Sequence, residues 1–167
     1  FTGSLATGKR LMINSAETVK RVALELGGKN PNIIFADADL DAAIDNALTA
    51  VFLHSGQVCS AGARLLVEKS IHTRVVDEIS RRADLIRLGG AYDDDAESGA
   101  LISAAHRDKI ERYVADALAE GAVLRAGGCR PEGSAFATGY FYRPTVLDNC
   151  TTDMHCVQDE SFGPILT

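Results

Sequence analysis

Short apolar runs of strand length alternate along this chain with longer stretches of helical period, and that alternation restricts it to an α/β fold with substantial parallel pairing. Asn32-Ile33-Ile34-Phe35-Ala36 predicts a buried strand. Asp37 and Asp39 are N-cap types leading into Leu40, Ile44, Leu48 and Val51 at helical spacing. Leu65-Leu66-Val67 predicts the next strand, with Ser70 capping a helix through Ile71, Val75, Ile79 and Ile86 that ends near Gly89-Gly90. A third helix is expected from Ser103 through Ile110, Val114 and Leu118 to Gly121. Val123-Leu124 and the stretch from Phe141 to Leu147 supply further strand material, and residues 127–139, rich in Gly, Pro and Ser, predict an exposed loop.

Size and charge narrow the function. The 167 residues suffice for one domain with a sizeable core, so a second domain would be incomplete. Seventeen basic against twenty-three acidic residues give a net charge of −6, and no basic cluster opposes that balance. A nucleic-acid surface is therefore not expected. No apolar run has the length of a membrane span, and the opening Phe-Thr-Gly-Ser-Leu has no signal-peptide character. Four cysteines without Cys-x-x-Cys spacing predict reduced thiols in a cytoplasmic protein. A start without Met, directly on a motif-like stretch, leads us to expect a piece of a longer polypeptide.

Four stretches could carry chemistry. Gly3-Ser4-Leu5-Ala6-Thr7-Gly8-Lys9 precedes a helix-compatible run, where glycines and the helix dipole suit a diphosphate. It has P-loop spacing, but Arg10 stands where a Mg²⁺-binding hydroxyl is needed. An ordinary turn before a helix is the plainer reading. In Leu24-Glu25-Leu26-Gly27-Gly28-Lys29, the leucines beside Glu25 suggest partial burial, which favours a carboxyl able to take up a proton; a surface glutamate beside a turn is the alternative. In His54-Ser55-Gly56-Gln57-Val58-Cys59-Ser60, a cysteine among small residues on a loop predicts a reachable thiol, although most free cysteines are core residues. His54 could serve as its base or merely cap the preceding helix. Asp159-Glu160-Ser161-Phe162-Gly163-Pro164 places a carboxylate for a sugar diol beside an aromatic ring for a heterocycle. Cys150 and Cys156 with His155 lack a second ligand pair at metal-binding spacing, so no metal site is expected. Cys129 falls in the glycine-rich loop, and Cys156 should pack as a small apolar residue.

Taken in order, Phe-Thr-Gly-Ser at 1–4, Glu-Leu-Gly-Gly-Lys at 25–29, Gly-Gln-Val-Cys at 56–59 and Glu-Ser-Phe-Gly-Pro at 160–164 resemble the successive motifs of the NAD(P)-dependent aldehyde dehydrogenase superfamily. The 34-residue step from Glu25 to Cys59 is similar to that family's spacing between catalytic glutamate and nucleophile. Leu-Gly-Gly-Lys-Asn-Pro-Asn-Ile-Ile-Phe and His-Ser-Gly-Gln-Val-Cys-Ser-Ala-Gly-Ala-Arg look most like the betaine-aldehyde dehydrogenase branch.

The resemblance implies a catalytic domain with a largely parallel sheet flanked by helices, incomplete here. Residues 1–24 would be the end of the NAD(P)-binding domain, and 25–167 a catalytic domain truncated at its C-terminus. It implies Cys59 as the nucleophile that forms a thiohemiacetal and then a thioester, with Glu25 activating the hydrolytic water. Gly3, Ser4, Leu26, Glu160 and Phe162 would contact NAD or NADP, with NAD favoured. Val58 and Ser60 would line the substrate pocket. The partners implied are a small aldehyde, betaine aldehyde among the possibilities, and further copies of the chain in a dimer or tetramer. The alternatives within the resemblance are a CoA-acylating enzyme and a catalytically silent binding or structural module.

Overall fold

The computed structural model describes residues 1–167. Its elements are β1 (Thr2–Gly3), α1 (Leu5–Ala16), β2 (Glu25–Leu26), β3 (Pro31–Ile34), α2 (Leu40–Phe52), β4 (Arg64–Val67), α3 (His72–Leu85), α4 (Ala104–Ala119), β5 (Val123–Ala126), β6 (Thr145–Asp148), α5 (His155–Gln158) and β7 (Ile165–Leu166). The β1–β2, β3–β4 and β6–β7 pairs are parallel, and β5–β6 is antiparallel. Thr167, one residue past β7, accepts from Leu65 N–H at 2.8 Å and donates to the Ala63 carbonyl at 3.0 Å. Those two bonds join the sheets in the spatial order β3-β4-β7-β6-β5, while β1–β2 stands apart.

Strand alternation explains how helices come to cover both faces. On β6 and β7, Val146 and Leu166 enter one core with Ile34, Ile44, Val51, Val75 and Ile79, beneath α2 and α3. Their neighbours Leu147 and Ile165 enter a second core with Ile110, Tyr113, Val114 and Cys156, beneath α4 and α5. All four residues of β6 are buried, as a strand covered on both sides must be. The α/β architecture with largely parallel pairing is thus the one the sequence pattern predicts.

Asp39 caps α2 by accepting from Ala42 N–H at 3.3 Å, and Ser103 caps α4 by accepting from His106 N–H at 3.1 Å, as anticipated. Gly121, at φ +109°, follows α4. Ser70, however, is not the cap of α3. Its hydroxyl donates to Glu68 Oε1 at 2.5 Å, and α3 begins at His72 without a side-chain cap. That helix also stops at Leu85, short of Gly89, because Arg87 N–H is taken by Glu97 Oε2 at 2.9 Å and Gly89 N–H by the Ser98 carbonyl. The strand expected from Phe141 begins only at Thr145, since Pro144 offers no ladder donor and restricts Arg143 before it. The strand expected at 32–36 spans Pro31–Ile34 and is buried on one face only: Ile34 is 3% exposed and Ile33 55%.

The P-loop alternative also ends here. Residues 5–16 are helical, so the stretch through Gly8-Lys9 is helix rather than loop. Gly8 is buried, and a β-carbon there would meet Leu26 Cδ2 at 3.0 Å, which marks it as the close-packing point of α1 on β2.

Candidate active site

Residues 53–60 leave α2 through a strained turn. His54, Ser55 and Gly56 have φ values of 51°, 56° and 70°, three successive left-handed residues of which only the glycine adopts that conformation freely. The strain is held by the segment 99–102. Ser55 Oγ donates to the Gly99 carbonyl at 2.7 Å, and Gln57 Oε1 accepts from Ile102 N–H at 2.9 Å. Beyond this turn Cys59 and Ser60 are exposed, and the half-buried Val58 packs against the α2–α3 core. His54 is exposed, and its ring bonds none of the last carbonyls of α2; its own carbonyl instead accepts from Gln57 N–H and Nε2, both at 3.2 Å.

The motif around Glu25 reaches the cysteine turn through Asn30. Its Nδ2 donates to the Cys59 carbonyl at 2.9 Å and to the Ala61 carbonyl at 3.4 Å. Two residues of β2, Glu25 and Leu26, pair with Thr2 and Gly3 of β1, so the start of α1 lies beside them. Ser4 caps α1, accepting from Thr7 N–H at 3.3 Å and leaving the other first-turn amides open to an anion. Glu25 is exposed, not half-buried as its flanking leucines suggested; Leu24 and Leu26 themselves take up the burial.

Glycines bring in the third motif. A β-carbon on Gly27 would lie 2.0 Å from Glu160 Oε2, so a larger residue there would displace that carboxylate, which accepts from Gly28 N–H at 3.3 Å. A β-carbon on Gly56 would lie 2.1 Å from the Gly163 carbonyl oxygen. The backbone of the cysteine turn therefore rests directly on the Glu160–Pro164 segment. Three motifs far apart in sequence are joined, the cysteine turn and the Glu160 segment at backbone distance and the Glu25 motif to both through the side chains of Asn30 and Glu160.

One face of α4 grips that segment by its carbonyls. His106 Nε2–H donates to Phe162 O at 2.6 Å, Lys109 Nζ to Ser161 O at 3.1 Å and Glu160 O at 3.4 Å, and the Tyr113 hydroxyl lies 2.7 Å from both Cys156 O and Asp159 O. Ile110, on the same face, fills the space beside Gly163. Phe162 is held at φ 58° and is 37% exposed. Burial pushes the Tyr113 hydroxyl far above its usual range, so it remains a donor.

Sequence reasoning missed Asn30, His106, Lys109 and Tyr113. The 106, 109, 110, 113 spacing was visible as one helix face, but a polar residue on such a face reads as solvated until its long-range acceptors are known.

Lys29, 9% exposed, donates to the Ala63 carbonyl at 3.3 Å beneath the cysteine turn, and burial lowers its pKa to about 8, opposed by the nearby Cys156, Cys150 and Glu160. The unfolded chain holds this proton more tightly, so between pH about 8 and 10.5 the unfolded state binds more protons and stability rises with pH. Lys29→Met should remove a pH-dependent contribution of about 3 kcal/mol across that window, measured by denaturant titration at pH 7.5 and pH 10.

Gly56→Ala should lower folding stability by about 3 kcal/mol, because it combines a left-handed φ with a backbone collision. Gly28→Ala, where a β-carbon meets nothing within 4 Å, should leave stability nearly unchanged. Equal denaturation midpoints for the two variants would refute the interlock.

Comparison with known proteins places this geometry in context. The family profile described as Aldehyde dehydrogenase family matches residues 1–167. The chain is 55% identical over 167 residues to a betaine aldehyde dehydrogenase of Bacillus subtilis, covering all of this chain and 34% of that protein. It is 47% identical over 169 residues to 4-trimethylaminobutyraldehyde dehydrogenase B of Danio rerio, covering 33% of it. The structure superposes with TM-score 0.98 and 50% identity on a betaine aldehyde dehydrogenase of Staphylococcus aureus in complex with NAD⁺, covering 99% of this chain and 33% of that one. The chain spans about a third of the length of the relatives it matches.

Proposed function

Since this chain belongs to the aldehyde dehydrogenase family, we propose that it carries the nucleophile and water-activating residues of an enzyme that oxidises an aldehyde to a carboxylate. The observation that carries the reading is the exposed Cys59 on a turn braced against both the Glu25 motif and the Glu160 motif. In this assignment the Cys59 thiolate adds to the carbonyl carbon, and the thioester left after hydride loss is hydrolysed by water whose proton passes to the Glu25 carboxylate. An exposed carboxylate in the motif that Asn30 ties to the cysteine turn suits that task, because water reaches it.

The residues present fit a nicotinamide dinucleotide. Gly3 and Ser4 stand at the open N-terminus of α1, Leu26 pairs beside them, and Glu160 and Phe162 form a carboxylate and a partly exposed ring held rigidly by α4. Bound there, the cofactor supplies the hydride acceptor. NAD is favoured by the likeness to the Staphylococcus aureus enzyme, whose structure contains NAD⁺. Residues 1–24 are assigned to the end of the cofactor-binding domain and 25–167 to the catalytic domain. Val58, half-buried against the α2–α3 core, and the exposed Ser60 are assigned to the substrate pocket.

The substrate class we assign is a trimethylammonium aldehyde, on the strength of the two named relatives. The intact enzyme is assigned to the cytoplasm as a homo-oligomer. The four cysteines of this chain are free thiols, and none of its helices is long and apolar enough to cross a membrane. The test is NADH formation by the intact protein with betaine aldehyde and with its uncharged isostere 3,3-dimethylbutanal. A preference of at least tenfold in kcat/KM for the cation is expected. Equal rates would remove the substrate assignment, and no NADH with any aldehyde would remove the activity.

A further inference from the structure

Four cysteines occupy four different environments, and two of them meet. Cys59 and Cys129 are exposed and lie on separate loops. Cys150, just past the end of β6, and Cys156, in α5, place their sulfurs 3.9 Å apart. The chain between them is one compact turn, in which Met154 N–H donates to the Thr151 carbonyl at 3.1 Å and Thr151 N–H points to Met154 Sδ at 3.4 Å. Asn149, at φ 57°, turns the chain out of β6 so that Cys150 folds back over α5.

We propose that Cys150 and Cys156 are an oxidisable dithiol that closes to an intrachain disulfide when the protein meets a hydroperoxide. The inference stands on the two sulfurs alone and does not depend on the dehydrogenase reading. Bond formation needs the sulfurs to approach by about 2 Å, a distance that side-chain rotation in a turn can supply. Access and reactivity are divided between the two. Cys150 is half-buried and open to a small oxidant, whereas Cys156 is fully buried beneath it. The hydrogen bond between the two sulfurs lowers the Cys156 thiol's pKa, the Lys29 ammonium favours the thiolate of either sulfur, and that hydrogen bond and burial raise Cys150.

The chemistry balances. The Cys150 sulfur attacks the distal oxygen of the hydroperoxide as its proton passes along the hydrogen bond to the Cys156 thiolate; the O–O bond breaks, the alcohol departs with a proton from water, and Cys150 becomes a sulfenic acid. Cys156, as thiolate, attacks that sulfur; the S–O bond breaks, and the departing hydroxide leaves as water with the proton Cys156 had released. Two thiols lose two electrons in all, and the peroxide is reduced to alcohol and water.

The test is to treat the intact protein with tert-butyl hydroperoxide and digest it, without reduction, with a protease that cuts before aspartate. Asp148–Thr152 and Asp153–Gln158 are then separate peptides, each with one cysteine, and Cys129 lies on a third. The expected product is the first two joined, two hydrogens lighter than their sum, and separated again by dithiothreitol. A Cys59→Ser variant should give the same yield. Recovery of both peptides unjoined, whether unmodified or with Cys150 over-oxidised, would overturn the proposal. In Cys156→Ala, sulfenic acid on Cys150 should persist and give at least tenfold more dimedone adduct than the wild type; equal adducts would overturn the resolving role of Cys156.

Discussion

Replacing Cys59 with alanine in the intact enzyme should reduce aldehyde-dependent NADH formation on the order of 10⁴-fold while leaving the affinity for NAD and the thermal midpoint unchanged. The side chain is exposed, so little packing is lost with it. The part of the residue that the fold grips is its carbonyl, held by Asn30, and that bond survives the substitution. A variant that kept a tenth of wild-type activity would show that the sulfur forms no covalent intermediate. Alkylation kinetics give an internal comparison. Cys129 is equally exposed on a loop with no assigned chemistry, so Cys59 should react faster with iodoacetamide if the turn serves catalysis. Equal rates, together with no NADH from the wild type, would favour a silent binding module.

Glu25→Gln should have the second largest effect and a different signature. Steady-state turnover should fall about 10²–10³-fold, while a rapid first turnover, one NADH per site, should persist because in the proposed sequence acylation of Cys59 precedes the water step. Adding a small thiol should release the trapped acyl group and restore turnover. Unchanged hydrolysis in the variant would remove Glu25 from its role. A wild type that required a thiol acceptor from the outset would point instead to the CoA-acylating alternative.

What the sequence reveals and conceals follows from the range of the interactions. The α2 and α4 starts were legible because a capping side chain and its amide lie within three residues of each other. Ser70 looked equally suitable, but Glu68, two residues away, competes for its hydroxyl. The exposure of Glu25 was not legible, since the side on which a two-residue strand is covered depends on β1, twenty-two residues earlier. The four motifs could be marked one by one. Their interlock through Gly27, Gly56, Gly163, Asn30 and the α4 side chains could not, because each of those contacts depends on where a distant backbone passes. The meeting of Cys150 with Cys156 is local in sequence but rests on the left-handed turn at Asn149, which no periodic pattern announces.

Because α4 holds residues 156–162 by main-chain oxygens, the exposed side chains of that arm, such as Gln158 and Phe162, are decoupled from its placement, whereas its buried Cys156, Val157 and Ser161 and its length are not. Substitutions at those exposed positions leave the scaffold in place. A single inserted or deleted residue would instead shift every oxygen away from its donor on a helix whose spacing cannot stretch. Variation at this edge is therefore channelled into exposed side chains and barred from geometry, except at Gly163, where the absence of a side chain is itself the fitting surface.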